Sequence, residues 1–219
     1  MSSNIDVRPR RRGSKALLNR AAVVEAALDA LRDGGPTALT MRGLAARLDT
    51  GPASLYAWVR NQRELHVLVL DAIAAQVTPS DQPDPPEQRL IDLLLAYGRC
   101  LFGYPGSAQL ALATSPTGPA HLDLLEDCLV LLEELGLTPP RAEAVLDALF
   151  LLVTATVAEQ DARRSDEGAG SIPELYEAAV TSDPARWPHL ATALTQIHRI
   201  DGEQRLVDSI RTFLAGLRP

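Results

Sequence analysis

The chain has 219 residues, 46% of them hydrophobic and 22% charged, which bounds it to one large or two small soluble globular domains. Aromatic residues make up only 4%, so the core must be built from Leu, Ala and Val, a composition that favours helices and argues against a sheet. The formal net charge of −7 hides an asymmetry, with a net +4 on residues 1–78 and −11 on residues 79–219, so only the N-terminal part is suited to meet nucleic acid.

Lys15 is the one lysine among 21 basic residues; arginine is the better bidentate ligand for phosphates and bases. Cys100 and Cys128 form no metal-ligand spacing, and neither metal nor cofactor is implied. The opening stretch, MSSNIDVRPRRRGSK, has no apolar run, and the longest nearly uncharged run, Ala148 to Ala158, is too short to span a bilayer. A cytoplasmic protein with reduced cysteines and no membrane partner is expected.

Residues 1–18 read as a flexible basic arm carrying Arg8, Arg10, Arg11, Arg12 and Lys15. Such a run is either a solvated tail or, placed before a DNA-reading module, an arm for the adjacent minor groove. Asn19 is a plausible N-cap for a helix over 20–33, with Val24, Leu28 and Leu31 on its inner face and Gly34-Gly35 ending it. Thr40 opens a short helix from Met41 to Leu48, with Leu44 and Leu48 inward. After the turn Asp49-Thr50-Gly51, Pro52 begins a third helix to residue 58, anchored by Leu55 and Val59. Asn61 to Glu64 has the pattern of a capping box for a fourth helix, whose stripe is Leu65, Leu68, Val69, Ala72, Ile73 and Gln76.

Thr78 to Pro86, with four prolines, reads as a joint between an N-terminal domain over 19–77 and a C-terminal domain over 85–219. Asp84 to Glu87 resembles a second capping box, opening a helix over 85–102 with Leu90, Leu94, Tyr97 and Leu101 on one face. Helices are then expected over 107–114 and over 119–135, the latter with Leu122, Leu125, Leu129 and Leu132 inward. A long helix follows from Thr138-Pro139 to Ala162, apolar on more than one face. Residues 163–172 read as a loop, 172–194 as one or two short helices, and 202–217 as a last helix with the stripe Leu206, Ile210, Phe213 and Leu217. The fold class is therefore all-α: an N-terminal three-helix helix-turn-helix domain and a C-terminal helical domain.

The second and third helices, joined by three residues, fit a helix-turn-helix. A recognition helix must present small or polar side chains to the major groove, and Pro52, Ala53, Ser54, Tyr56 and Ala57 face away from the Leu55 and Val59 anchors. Ser54 and Tyr56 offer hydroxyls to phosphates, as does Thr40, and Arg42 reaches either a base edge or a phosphate. Tyr56 and Trp58 have an alternative role in packing against the first helix.

The segment LTMRGLAARLDTGPASLYAWVRNQRELHVLVLDAI resembles the DNA-binding segment of the tetracycline-repressor (TetR) family. The resemblance rests on Leu39-Thr40, Arg42, Leu44-Ala45, Leu48, Ser54-Leu55-Tyr56, Val59, Asn61 and Arg63-Glu64-Leu65, and covers residues 19–77. It implies that Arg42 reads a base, that Pro52, Ala53, Ala57 and Trp58 line the groove face, and that Thr40, Ser54, Tyr56 and Gln62 serve phosphates. Asp49 departs from the glycine common in that turn, but aspartate tolerates a left-handed backbone; Gln62 departs from the usual lysine.

The resemblance further implies a cavity enclosed by the fifth to seventh helices and a homodimer through the eighth and last helices. A dimer also accounts for the two apolar faces of the eighth helix and suits a palindromic operator on double-stranded DNA. Tyr97, Cys100, Phe102, Tyr104, His121, Cys128, Phe150 and Thr154 are the candidate cavity residues, each interrupting or edging an aliphatic surface with a larger or polar group, although ordinary core packing accounts for most such positions. The expectation is a regulator released from its operator by a small apolar effector. An activator, an architectural DNA protein without a ligand, and a helical enzyme are the alternatives, the last lacking any nucleophile elbow, phosphate loop or metal cluster.

Overall fold

The computed structural model describes residues 18–80, 82–165, 180–181, 183–197 and 202–217. The arm, apart from Leu18, and the segment around 166–179 lie outside the described residues. Among the described residues there is no strand.

Helix α1 (Arg20–Ala38) starts where Asn19 accepts a hydrogen bond from the Ala22 N–H at 2.8 Å. Its ladder breaks at Gly35, which takes the left-handed φ of 62° that favours glycine, and Pro36 begins one further turn. The buried face is Val23, Ala26, Ala27, Ala30 and Leu31, with Val24 and Leu28 only half-buried. The alanines let α2 (Met41–Arg47) and α4 (Gln62–Ala74) approach closely, and this pulls the inner face one position away from the Val24–Leu28 line. Asp49 adopts φ 48° in the turn after α2, so the glycine departure is accommodated.

Helix α3 (Pro52–Leu55) is shorter than the periodicity suggests. The Trp58 N–H reaches only back to the Leu55 carbonyl, so residues 56–58 close as a tight turn rather than a further helical turn. Helix α4 is capped by Asn61, which accepts from the Glu64 N–H at 2.9 Å. Glu64 in return accepts from the Arg60 N–H at 2.7 Å, one residue earlier than a regular capping box, and this ties the preceding turn to the helix.

The body is built from α5 (Pro86–Phe102), α6 (Ser107–Ala113), α7 (Pro119–Glu134), α8 (Pro139–Ser165), α9 (Pro188–Ile197) and α10 (Gly202–Ala215). Pro85 occupies the cap position of α5 with no side-chain cap bond, so the expected Asp84–Glu87 capping box does not form. Helix α8 packs against α5, α6, α7 and α10.

Helix α7 buries His121, Leu124, Cys128, Leu131 and Leu132, while Leu122 is 51% exposed and Leu125 and Leu129 are half-buried. Leucines lie all round this helix, so periodicity offers two adjacent stripes, and the neighbours select the one beside that expected. Helix α10 buries Leu206, Ile210 and Leu214; of the predicted stripe, Phe213 stands on the outer side and Leu217 is half-buried. One continuous apolar core runs from Val23 in α1 to Leu214 in α10, with α4 packed against both α1 and α7.

Candidate nucleic-acid interface and ligand cavity

The helix-turn-helix presents a continuous outer face. Thr40 caps α2 by accepting from the Gly43 N–H at 3.0 Å, which aims the start of α2 and the exposed Arg42 outward. Leu55 and Val59 are fully buried, and this pins Pro52, Ala53, Ser54, Tyr56, Ala57 and Trp58 on the solvent side. Tyr56 is 52% exposed and Trp58 41%, so neither ring is consumed by packing against α1. The Gln62 amide donates to the Leu39 carbonyl at 3.3 Å, bracing α4 against the α1–α2 joint. Glu64 is flanked by Arg60 and by Arg20, whose guanidinium lies 2.8 Å away; the Arg60 N–H, first of all, holds its carboxyl below the usual range.

A cavity of about 680 Å³ lies between α5, α6, α7 and α8. Tyr97, His121, Phe150 and Thr154 line it. The Tyr97 and Phe150 rings are 5.2 Å apart, and His121 meets Phe150 edge-on at 5.8 Å. Burial pushes the Tyr97 phenol up to about 12, only partly offset by a hydrogen bond with Thr154, so it stays protonated at neutral pH. Burial likewise lowers the His121 pKa against the opposing pull of Asp71, and the imidazole is mainly neutral at pH 7. The buried Nδ1 of His121 has no hydrogen-bond partner.

The other four sequence candidates lie elsewhere. Tyr104 is buried in a bridge between the two ends of the molecule: Arg32 of α1 donates to its hydroxyl at 2.6 Å and Gln76, just beyond α4, at 2.8 Å. Phe102 lies under the Arg164 guanidinium. Cys128 is fully buried in the core, its thiol pushed up to about 12 by desolvation, and Cys100 is half-buried outside the cavity wall. Sequence reasoning missed Leu112, Leu125, Glu143, Asp147 and Leu151 as lining residues. The spacing of Glu143, Asp147, Phe150, Leu151 and Thr154 along one side of α8 is the signal that could have found them.

The cavity is wired to the head. Asp71 of α4 accepts a hydrogen bond from the backbone N–H of His121 at 3.0 Å, and Gly118 lies so close to Asp71 that an added Cβ would fall 2.1 Å from its carboxyl carbon. At the start of α6, the Gly106 N–H donates to Asp161 at 2.9 Å while Pro36 of the α1 terminus packs over the same glycine.

A helix-turn-helix joined through α4 to a helical body with a cavity of ligand size defines a class of DNA-binding regulators. Residues 82–219 match the tetracyclin repressor-like C-terminal domain family. The chain is 29% identical over 168 residues to the tetracycline repressor protein class G of Vibrio anguillarum, covering 75% of this chain and 80% of that one. It superposes on ActR of Streptomyces coelicolor in complex with actinorhodin with a TM-score of 0.82 and 31% identity, covering 92% of this chain and 96% of that chain. BioQ with its double-stranded DNA operator is similar at a TM-score of 0.62 and 25% identity, covering 68% and 90%. The chain belongs to the tetracycline-repressor family. No helix among its described residues is long and apolar enough to cross a membrane.

Proposed function

We infer that this chain is a ligand-responsive transcriptional repressor that binds operator DNA as a homodimer and leaves it when a small molecule enters the cavity. The observation that carries this reading is the Asp71–His121 hydrogen bond, because it joins a residue of the cavity wall to the helix that follows the recognition turn. A ligand that displaces the start of α7 must strain or break that bond and shift α4. Two recognition helices on half-sites a helical turn apart tolerate little change in separation. Differential affinity of the ligand for the two head positions then supplies the coupling, typically ~1–3 kcal/mol.

The division of labour follows the charge. Residues 1–18 form a basic arm, 19–77 the DNA-binding domain, and 85–219 the ligand-binding and dimerisation domain. Arg42 reads a base, Pro52, Ala53, Ala57 and Trp58 face the groove, and Thr40, Ser54 and Tyr56 serve phosphates. Gln62 serves the head by bracing it, since its amide already donates to Leu39. Tyr97, His121, Phe150 and Thr154 hold the effector. The reading as a regulator and not an enzyme follows the relatives, and a DNA-binding role places the chain in the cytoplasm.

The experiment is selection of bound duplexes from a random pool by the full-length protein, followed by a screen for compounds that release the selected operator. A palindromic consensus and release by at least one compound that also binds the free protein are expected. Tight binding to every sequence, with no compound changing it, would leave an architectural protein in place of a repressor.

A further inference from the structure

The walls of the cavity carry a charge that its aromatic floor does not suggest. Among the described residues that line it there is no lysine or arginine, whereas Glu143 and Asp147, one turn apart on α8, both stand exposed at its edge. Deeper in, Tyr97, His121 and Phe150 pack against one another, with centroid separations of 5.2 to 6.1 Å, and together offer an aromatic patch against which a flat ring system can lie. His121 is only 6% exposed, and its Nδ1 lacks a partner. A buried polar nitrogen left unpaired is a cost that a bound molecule with a hydroxyl, amide or carbonyl can relieve, directly or by letting the ring turn.

We propose that the effector is a flat, multi-ring aromatic molecule that carries a basic amine and a polar ring substituent, and that carboxylate-bearing aromatics are rejected. This deepens the reading of the cavity as the effector site and rests on it. The rings lie against the patch made by Tyr97, His121 and Phe150, the ring substituent meets His121, and the amine lies toward Glu143 and Asp147. The ring faces of Tyr97 and Phe150 add attraction for a cation and none for an anion. An anionic group would sit near two carboxylates with no cation among the described wall residues to compensate, so selectivity comes as much from repulsion as from attraction.

The test uses the full-length protein without DNA and three tricyclic probes of one shape: aminoacridine as the cation, acridone as the neutral form and acridine carboxylate as the anion. Titration calorimetry should show aminoacridine bound on the order of tenfold more tightly than acridine carboxylate, the scale set by two partly solvated charges. The double substitution Glu143→Gln with Asp147→Asn should erase that ratio and leave acridone affinity unchanged. His121→Phe, which keeps a flat ring in the wall, should weaken acridone binding, with circular dichroism verifying the fold. Equal or tighter binding of the carboxylate, or a ratio that survives the double substitution, overturns the proposal while leaving the cavity as an effector site. Binding of none of the three overturns it as well. The effector-site reading then fails only if a Leu125→Trp block of the cavity also leaves compound-driven operator release unchanged.

Discussion

At the scale of single residues, Asp71 has the most consequential position. It is half-buried, it accepts the His121 N–H, and it fills the space that the missing Cβ of Gly118 leaves open. Asp71→Ala should leave operator affinity and effector affinity each within a few-fold of the parent, while the ratio of operator affinities with and without effector falls toward one. Fluorescence titrations of DNA and effector, each with and without the other, measure this; an undiminished ratio would remove Asp71 from the signalling path. Arg42 and Tyr56 should behave in the opposite sense. Both are exposed on the outer face of the helix-turn-helix, and neither lines the cavity. Arg42→Ala should cost ~1–3 kcal/mol of operator affinity and relax preference at one base pair, as removal of a bidentate base ligand does. Effector affinity measured on the same variant should not move.

At the scale of elements, the contact between the start of α7 and α4 is a close steric fit. Gly118 has an extended backbone, φ −76° and ψ 158°, that alanine adopts without strain, so Gly118→Ala tests the contact and not the backbone. The added methyl must push Asp71 aside or move α7. The expected result is a protein that is folded, less stable by ~1–3 kcal/mol as overpacked sites are, and bound to operator several-fold more weakly with no effector present. Urea unfolding and operator titration give the two numbers. A stable variant with unaltered operator affinity would show that α7 shifts freely against α4. Helix α7 also shows why face assignment from sequence fails here. Leu122, Leu124, Leu125, Leu129, Leu131 and Leu132 offer more apolar surface than one face can bury, and which stripe goes inward depends on α4, α5 and α8.

At the scale of the whole molecule, dimerisation and the basic arm are the proposed determinants of operator affinity. Phe213 is 37% exposed on α10 although its neighbours Ile210 and Leu214 are buried, so it has a surface to offer a second copy. Phe213→Glu should convert a dimer into monomers in sedimentation velocity at micromolar protein and abolish tight operator binding. An unchanged sedimentation coefficient would place the interface elsewhere. The arm's proposed contribution is its charge. Deleting residues 1–15 removes five positive charges and one negative per subunit. The slope of log affinity against log salt should flatten by roughly one unit for each phosphate that the arm no longer neutralises, and an unaltered slope would make the arm a solvated tail.

The sequence by itself determined the helical class, the order of helices and the helix-turn-helix. These are local: caps at Asn19, Thr40 and Asn61, proline at the start of α3, and apolar anchors at Leu55 and Val59 act within a few residues along the chain. The left-handed turn at Asp49 was legible for the same reason. Half of the cavity candidates were legible too, since Tyr97, His121, Phe150 and Thr154 interrupt aliphatic stripes. Cys100, Phe102, Tyr104 and Cys128 carry the same local signal and lie outside the wall. Only the tertiary structure separated these two groups, because a side chain faces a cavity or a core according to how α5, α7 and α8 rotate about their axes. It also decided the bond from Asp71 to His121, fifty residues apart, which no periodicity encodes. Long-range polar contacts of that kind arise from where packed helices place their ends, and the packing is set by all of their neighbours together.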